Sequence, residues 1–172
     1  MGDAETATVR IANSIAEVSA ADWNACARGS EPVTKRPSNP FISHAFLLAL
    51  EESGSASSET GWWPQHLLLE DGKGGVAGCM PCYLKTHSRG EYVFDQGWAD
   101  ALDRAGAHYY PKLQSSVPFT PVTGRRLLAR DGISLEGKGL LLRAGAGLVE
   151  RSGASSLHIT FLTEEEWHLA GE

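Results

Sequence analysis

The chain has 172 residues, 42% of them from the set AVILMFWYC and 21% charged, with 19 Gly and 8 Pro. That balance describes one domain able to bury its own core, and it excludes wholesale disorder, collagen and coiled coil. No run approaches the roughly 18 apolar residues of a spanning helix, and Met1 to Ala12 lacks the basic start and apolar stretch of a secretory signal, so the expected address is the cytoplasm. The 15 basic and 21 acidic residues leave a net charge of −6. The longest basic runs are the pairs Lys35-Arg36 and Arg125-Arg126, too little for the basic face that duplex binding uses. Three cysteines without an export signal are expected as reduced thiols.

In chain order, Ala7 to Ile15 reads as a β-like run with Val9 and Ile11 alternating. Ser19 caps a helix from Ala20 to about Arg28 that Gly29 ends. Gly29 to Pro40, rich in proline, is a loop, and Phe41 to Glu52 is a second helix with Phe46, Leu47 and Leu50 on one face. Ser53 to Gly61 is a polar loop. Gln65 to Glu70 and Val76 to Lys85 are strand-like, joined by Asp71-Gly72-Lys73-Gly74-Gly75, a hairpin signal. Tyr92 to Phe94 is expected as a short strand and Gln96 to Ala105 as a helix. Ser116 to Thr120 is expected as a strand that Pro118 and Pro121 break.

Ser134 opens a helix to Arg151 with Gly153 as its stop. Gly139, Gly145 and Gly147 each cost it roughly 1 kcal/mol relative to Ala, so it leans on tertiary packing. Ser156 to Leu162 is a strand with Leu157, Ile159 and Phe161 on one face and His158 and Thr160 on the other. Strand, helix and strand from 116 to 162 have the length of a right-handed βαβ unit. Thr163-Glu164-Glu165-Glu166 is a capping box that announces a helix only a few residues before Glu172. That start signal predicts a polypeptide that continues, with this chain as an amino-terminal portion.

Cys79-Met80-Pro81-Cys82 has the spacing of a redox pair or half a zinc site. It falls in a strand-like run, where residues three apart point to opposite faces, and no second ligand pair accompanies it. Buried structural cysteines and no metal are expected. The six histidines show no metal-binding spacing. His158, facing away from the apolar side of its strand, is the catalytic candidate among them, against the blander reading of a surface histidine. Glu51-Glu52 and Glu164 to Glu166 read as solvated faces and caps. Val117 to Leu128, VPFTPVTGRRLL, sets free backbone N–H groups and two guanidiniums at a strand end. That suits a pyrophosphate or a developing oxyanion, or it is an irregular loop with two surface arginines.

NPFISHAFLLALEESGS (Asn39 to Ser55), WWPQHLLL (Trp62 to Leu69), DQGWADA (Asp95 to Ala101), YYPKLQSSVPFTPVTGRRLL (Tyr109 to Leu128) and SSLHITFLTEEEW (Ser155 to Trp167) resemble a bacterial family. Its members are predicted N-acyltransferases of peptidoglycan biosynthesis or recognition, related to the FemAB peptidyltransferases. The resemblance runs in order from about residue 8 onward. It implies an α/β fold of the GCN5-related N-acetyltransferase (GNAT) type, with a mixed, mostly antiparallel sheet flanked by helices. Members are about twice this length and hold two such copies, so residues 1–172 are expected as one GNAT-like domain, the first of a tandem.

By the same resemblance a bulged strand offers N–H groups to the acyl carbonyl, which assigns Phe119 and Thr120. The following loop binds phosphates, which assigns Thr123, Gly124, Arg125 and Arg126. This loop departs from the family motif (Arg/Gln)-x-x-Gly-x-(Gly/Ala): it has one glycine and an arginine where a small residue belongs. The donor is thus acyl-CoA or an aminoacyl carrier, with tRNA a partner only in the second case. The expected function is transfer of an acyl or aminoacyl group to an amine in cell-wall metabolism. The alternative is a non-catalytic half that binds a cell-wall precursor or docks its own carboxy-terminal GNAT domain; a redox or zinc module is a third. Trp167 and Leu169 on the announced helix predict self-association of this chain alone.

Overall fold

The computed structural model describes residues 7–29 and 39–171; Lys35-Arg36 and most of the Gly29 to Pro40 loop lie outside them. Three serines set three helix starts by accepting an otherwise unpaired backbone N–H. Ser19 accepts from Asp22 N ahead of α1 (Ala20–Arg28), Ser43 from Phe46 N ahead of α2 (His44–Glu52), and Ser134 from Gly137 N ahead of α4 (Leu135–Ser152). The second helix therefore begins at His44 and not at Phe41: Asn39 and Pro40 form a separate 3-10 turn over Pro40–Ile42 before it. The third helix, α3, spans Gln96–Arg104, and α5 spans Glu164–Gly171.

The strands are β1 (Val9–Ala12), β2 (Trp62–Pro64), β3 (His66–Glu70), β4 (Val76–Met80), β5 (Tyr83–Lys85), β6 (Lys112–Ser115), β7 (Leu128–Ala129) and β8 (Leu157–Ile159). They form two four-stranded sheets, β1-β3-β4-β7 and β2-β5-β6-β8. All pairs are antiparallel except β6 with β8. Two sheets replace the single one expected because the central hairpin bends where its ladder is interrupted. Pro81 has no N–H to donate, and across the bend Gln65 N donates to Cys82 O at 2.8 Å. At the far tip, Asp71 Oδ1 accepts from Lys73 N and Gly75 N and closes the glycine-rich turn.

Leu67, Leu68 and Leu69 in β3 are buried on both sides of the first sheet. Leu68 joins Trp23, Cys26, Leu47, Cys79 and Leu128 against α1 and α2, whereas Leu67 and Leu69 join Cys82, Leu113, Leu141 and Leu148 under α4. Cys79 and Cys82 thus lie in different clusters, and all three cysteines are free thiols. Gly145 permits α4 its close approach: a Cβ there would stand 3.0 Å from Leu157 Cδ2 and 3.7 Å from Leu67 Cδ1.

Several expectations change. Tyr92 to Phe94 is not a strand, and Phe94 is 96% exposed. The strand expected at Ser116 to Thr120 lies earlier, at β6, and ends before Pro118; Phe119 turns to φ 58°. The βαβ unit is present as β6, α4 and β8, with β7 diverted into the other sheet. Glu51 is not solvated: it accepts from Ser14 Oγ at 2.8 Å and is hydrogen-bonded to His66 Nε2 at 2.9 Å. The capping box is half formed. Thr163 Oγ1 accepts from Glu166 N, but the Glu166 carboxylate is buried and accepts instead from Arg126 N (2.8 Å) and Leu127 N (2.9 Å). On α5, Trp167 is exposed while Leu169 packs on the cluster beneath α4. Among the described residues no helix is long and apolar enough to cross a membrane.

Candidate functional site

Register in the second sheet assembles a polar face. Trp62, Lys85 and Lys112 pair in one row, and Tyr83, Gln114 and His158 in the next. Because strand residues alternate with period two, these six share one side. Leu84, Leu113 and Leu157 occupy the other, with Leu113 and Leu157 packed beneath α4. A strand sequence such as Lys-Leu-Gln-Ser therefore places its leucine in the core and its lysine and glutamine together on the opposite face.

That face is buried under the 86–95 segment and Tyr109. The Lys112 ammonium donates to Glu91 Oε2 at 2.7 Å and to Asp95 Oδ2 at 2.6 Å, and Tyr109 Oη donates to the same Asp95 oxygen at 2.7 Å. Lys85 Nζ stands 3.5 Å from the centre of the Trp62 ring and 3.9 Å from Glu91 Oε1. Burial pushes the Lys85 ammonium down to about 7, the nearby Glu91 charge opposing. Burial raises the Glu91 carboxyl in spite of the lysines. At Asp95 burial also acts upward, but the hydrogen bonds, led by that of Lys112, outweigh it and hold the carboxyl at about 2. Trp62 Nε1, Tyr83 Oη and Gln114 Oε1 are buried on this face without a hydrogen-bond partner among the described residues. Groups left so usually mark ordered water or a ligand.

The face opens at its edge strand. A cleft of about 340 Å3 is lined by Trp98, Leu102, Tyr109, Ser155, Ser156 and His158. A second, of about 330 Å3, includes Gln96, Asp103, His108 and Tyr110 and shares Tyr109 with the first. His158 Nε2 is 2.8 Å from Ser156 Oγ, and its ring meets Tyr109 edge-on at 5.6 Å. Burial, with Lys112 adding to it, lowers the His158 pKa against the opposing pull of Asp95, which favours the neutral imidazole. Trp98, 69% exposed, stands at this opening. A neutral imidazole beside an aromatic-walled cleft is able to take a proton from a bound amine.

The segment singled out in the sequence is arranged differently from a cradle of free donors. Phe119 N donates to Gly90 O, Thr120 N to Val117 O and Gly124 N to Phe161 O. The Phe119 ring packs against Trp62 at 5.5 Å. Thr123 is exposed. Arg125 turns toward α1 and donates to Ala27 O. Arg126 is fully buried and donates to Val122 O, Gly124 O, Arg125 O and Thr160 O, and burial lowers its pKa to about 10. The two guanidiniums therefore do not converge. At this loop the N–H groups of Phe119, Thr120, Gly124 and Arg126 already have partners within the chain.

Sequence reasoning nominated His158 but not Lys85, Glu91, Asp95, Tyr109 or Lys112. The available signal was a lysine ending the Val76 to Lys85 strand run, together with acids four apart at Glu91 and Asp95; the strand that carries Lys112 was not read. Among the described residues no group of three or more His, Cys, Asp or Glu side chains is placed to hold a metal ion.

A family model described as FemAB-like, peptidoglycan biosynthesis/recognition, matches residues 14–172. Neither the curated proteins nor the solved structures compared with the chain match it. The match takes in both sheets' central hairpin, the buried ion pairs and the His158 cleft, and the chain belongs to the FemAB-like family of peptidoglycan biosynthesis and recognition.

Proposed function

We propose that this domain, on a GNAT-like fold, transfers an acyl or aminoacyl group to an amine of a peptidoglycan precursor, with the acceptor amine bound in the His158 cleft. An ammonium has no lone pair, so the acceptor must lose a proton before or during attack. His158 takes that proton; the amine nitrogen bonds to the acyl carbon, the bond from that carbon to the leaving sulfur or oxygen breaks, and the leaving group carries off the second proton that the nitrogen gives up. The observation that supports this reading is the His158 imidazole lining the cleft edge-on to Tyr109 at 5.6 Å, with the Tyr109 hydroxyl fixed by the buried Asp95 and Lys112 pair.

The test incubates the protein with acetyl-CoA or alanyl-tRNA and a peptidoglycan-derived peptide bearing a free amine, and reads amide product by mass spectrometry. Product from wild type, reduced by about 100-fold or more in His158→Gln, supports the reading; equal product from both variants contradicts it. A second reading, that the domain recognises a precursor or docks a second GNAT domain without catalysis, draws on the Val117 to Arg126 loop, several of whose donors are engaged internally. It predicts binding of the amine peptide with no amide formed from either donor.

A further inference from the structure

We infer that Ser155 and Ser156 fix the tautomer of His158, placing the imidazole proton on Nε2 and leaving Nδ1 as the nitrogen that receives the substrate proton. The inference rests on the transfer reading for its role but not for its geometry. Ser155 Oγ lies 2.5 Å from Tyr109 O. A carbonyl oxygen only accepts, so the single hydroxyl proton of Ser155 is spent there. Ser156 Oγ is 3.0 Å from Ser155 Oγ, and Ser155 can then only accept from it. That spends the proton of Ser156, whose oxygen accepts in turn from His158 Nε2 across 2.8 Å. One backbone carbonyl thereby orients every proton in a chain of three side chains. His158 Nδ1 has no hydrogen bond among the described residues.

The charged groups that act on the ring are Lys112 from β6 and Asp95 from the start of α3, and Tyr109 packs against it. After Nδ1 takes a proton, it releases that proton to water while Nε2 keeps its own, held by Ser156, so the ring returns to the same neutral tautomer. One proton enters and one leaves, and no bond between heavy atoms changes. Ser155 is exposed and Ser156 half-buried, so the chain runs outward from the cleft. Ser155 and Ser156 are positioning residues: they act through His158.

Long-range proton–nitrogen NMR correlations of 15N-histidine-labelled protein above pH 7.5 test this without any substrate. The expected wild-type pattern is a protonated-type shift for His158 Nε2 and a bare-nitrogen shift for Nδ1. Ser156→Ala should give averaged nitrogen shifts and move the His158 titration midpoint, and Ser156→Thr, which keeps the hydroxyl, should restore the wild-type pattern. Ser155→Ala serves as the second variant and should give the same averaging in weaker form. A wild-type spectrum with the proton on Nδ1 overturns the inference, as does an unchanged pattern and titration in both alanine variants. In the transfer assay, Ser156→Ala should lower kcat several-fold at unchanged KM. If no donor yields amide at all, the transfer reading fails while the NMR result still decides the tautomer.

Discussion

Asp95 at the start of α3 and Lys112 at the start of β6 meet across 2.6 Å inside the molecule. Their side chains are 6% and 1% exposed, and Glu91 approaches the same ammonium from the other side at 2.7 Å. One ammonium thus bridges two carboxylates that stand four residues apart, with Lys85 also 3.9 Å from Glu91, and it ties the segment carrying them down onto the polar sheet face.

Removing the cation leaves Asp95 without a charge partner among the described residues and Glu91 with Lys85 alone, 3.9 Å away. Lys112→Ala is expected to lower unfolding free energy by about 3–5 kcal/mol, the usual result of breaking a buried pair from one side. Adding Asp95→Asn should return part of the loss, since one uncompensated charge disappears. Urea titrations of the two variants measure it, and a loss below about 1 kcal/mol for Lys112→Ala contradicts the account.

Lys85 predicts an alkaline rise in stability. Its folded value of about 7 lies below the 10.5 of an unperturbed lysine. Between these values the unfolded chain holds a proton that the folded chain has released, so raising pH strips the unfolded state and favours folding. Melting temperature should climb from about pH 7 toward pH 10 in wild type, and Lys85→Met should flatten that climb. Glu91 acts with the opposite sign. Its folded value is raised, so stability falls as pH rises through the interval in which only the folded form remains protonated.

The helices and the central hairpin were legible because their signals are local. Ser19 and Ser134 lie one residue before helices that hydrogen-bond to them, and Asp71-Gly72 turns the hairpin; Ser43 caps the second helix in the same way, but its start was read three residues early, at Phe41. The site was less legible because it depends on register. Trp62, Lys85 and Lys112 become neighbours only when β2, β5 and β6 align, and nothing local in any one strand reports that alignment. The surroundings of Arg125 and Arg126 were hidden for the same reason: the carbonyls of Ala27 and Thr160 that accept from them come from distant parts of the chain. Glu166 looked like a cap because the competing donors, Arg126 N and Leu127 N, lie about forty residues away in sequence.

Arg126 is expected to be irreplaceable by Lys. The guanidinium reaches four carbonyl oxygens in different directions, whereas an ammonium offers three protons from one point. At least one buried carbonyl loses its donor, at about 1–3 kcal/mol. Glu166→Gln should cost a similar amount, because an amide presents only one acceptor oxygen to the two N–H groups. Hydrogen exchange localised to α5 checks both; unchanged protection in Glu166→Gln contradicts the anchoring role.

Within α4 two glycines should respond differently to alanine. At Gly147 an added Cβ meets only Arg151 Nη1, at 3.6 Å, so Gly147→Ala should stabilise by about 0.5–1 kcal/mol through helix propensity. At Gly145 the same change presses on Leu157 at 3.0 Å, and overpacking offsets the gain. Thermal melts of the two variants measure the difference; equal stabilisation contradicts the tight α4 packing.

The most direct measurement of the central claim locates the ligand. Wild-type protein is titrated with a peptidoglycan-derived peptide carrying a free amine while the Trp98 indole and His158 imidazole signals are followed by NMR. The account predicts saturable shifts at Trp98, Tyr109 and His158, with Arg125 and Arg126 unmoved. Shifts gathered on the Val117 to Arg126 loop, or none at the His158 cleft at saturating peptide, would contradict it.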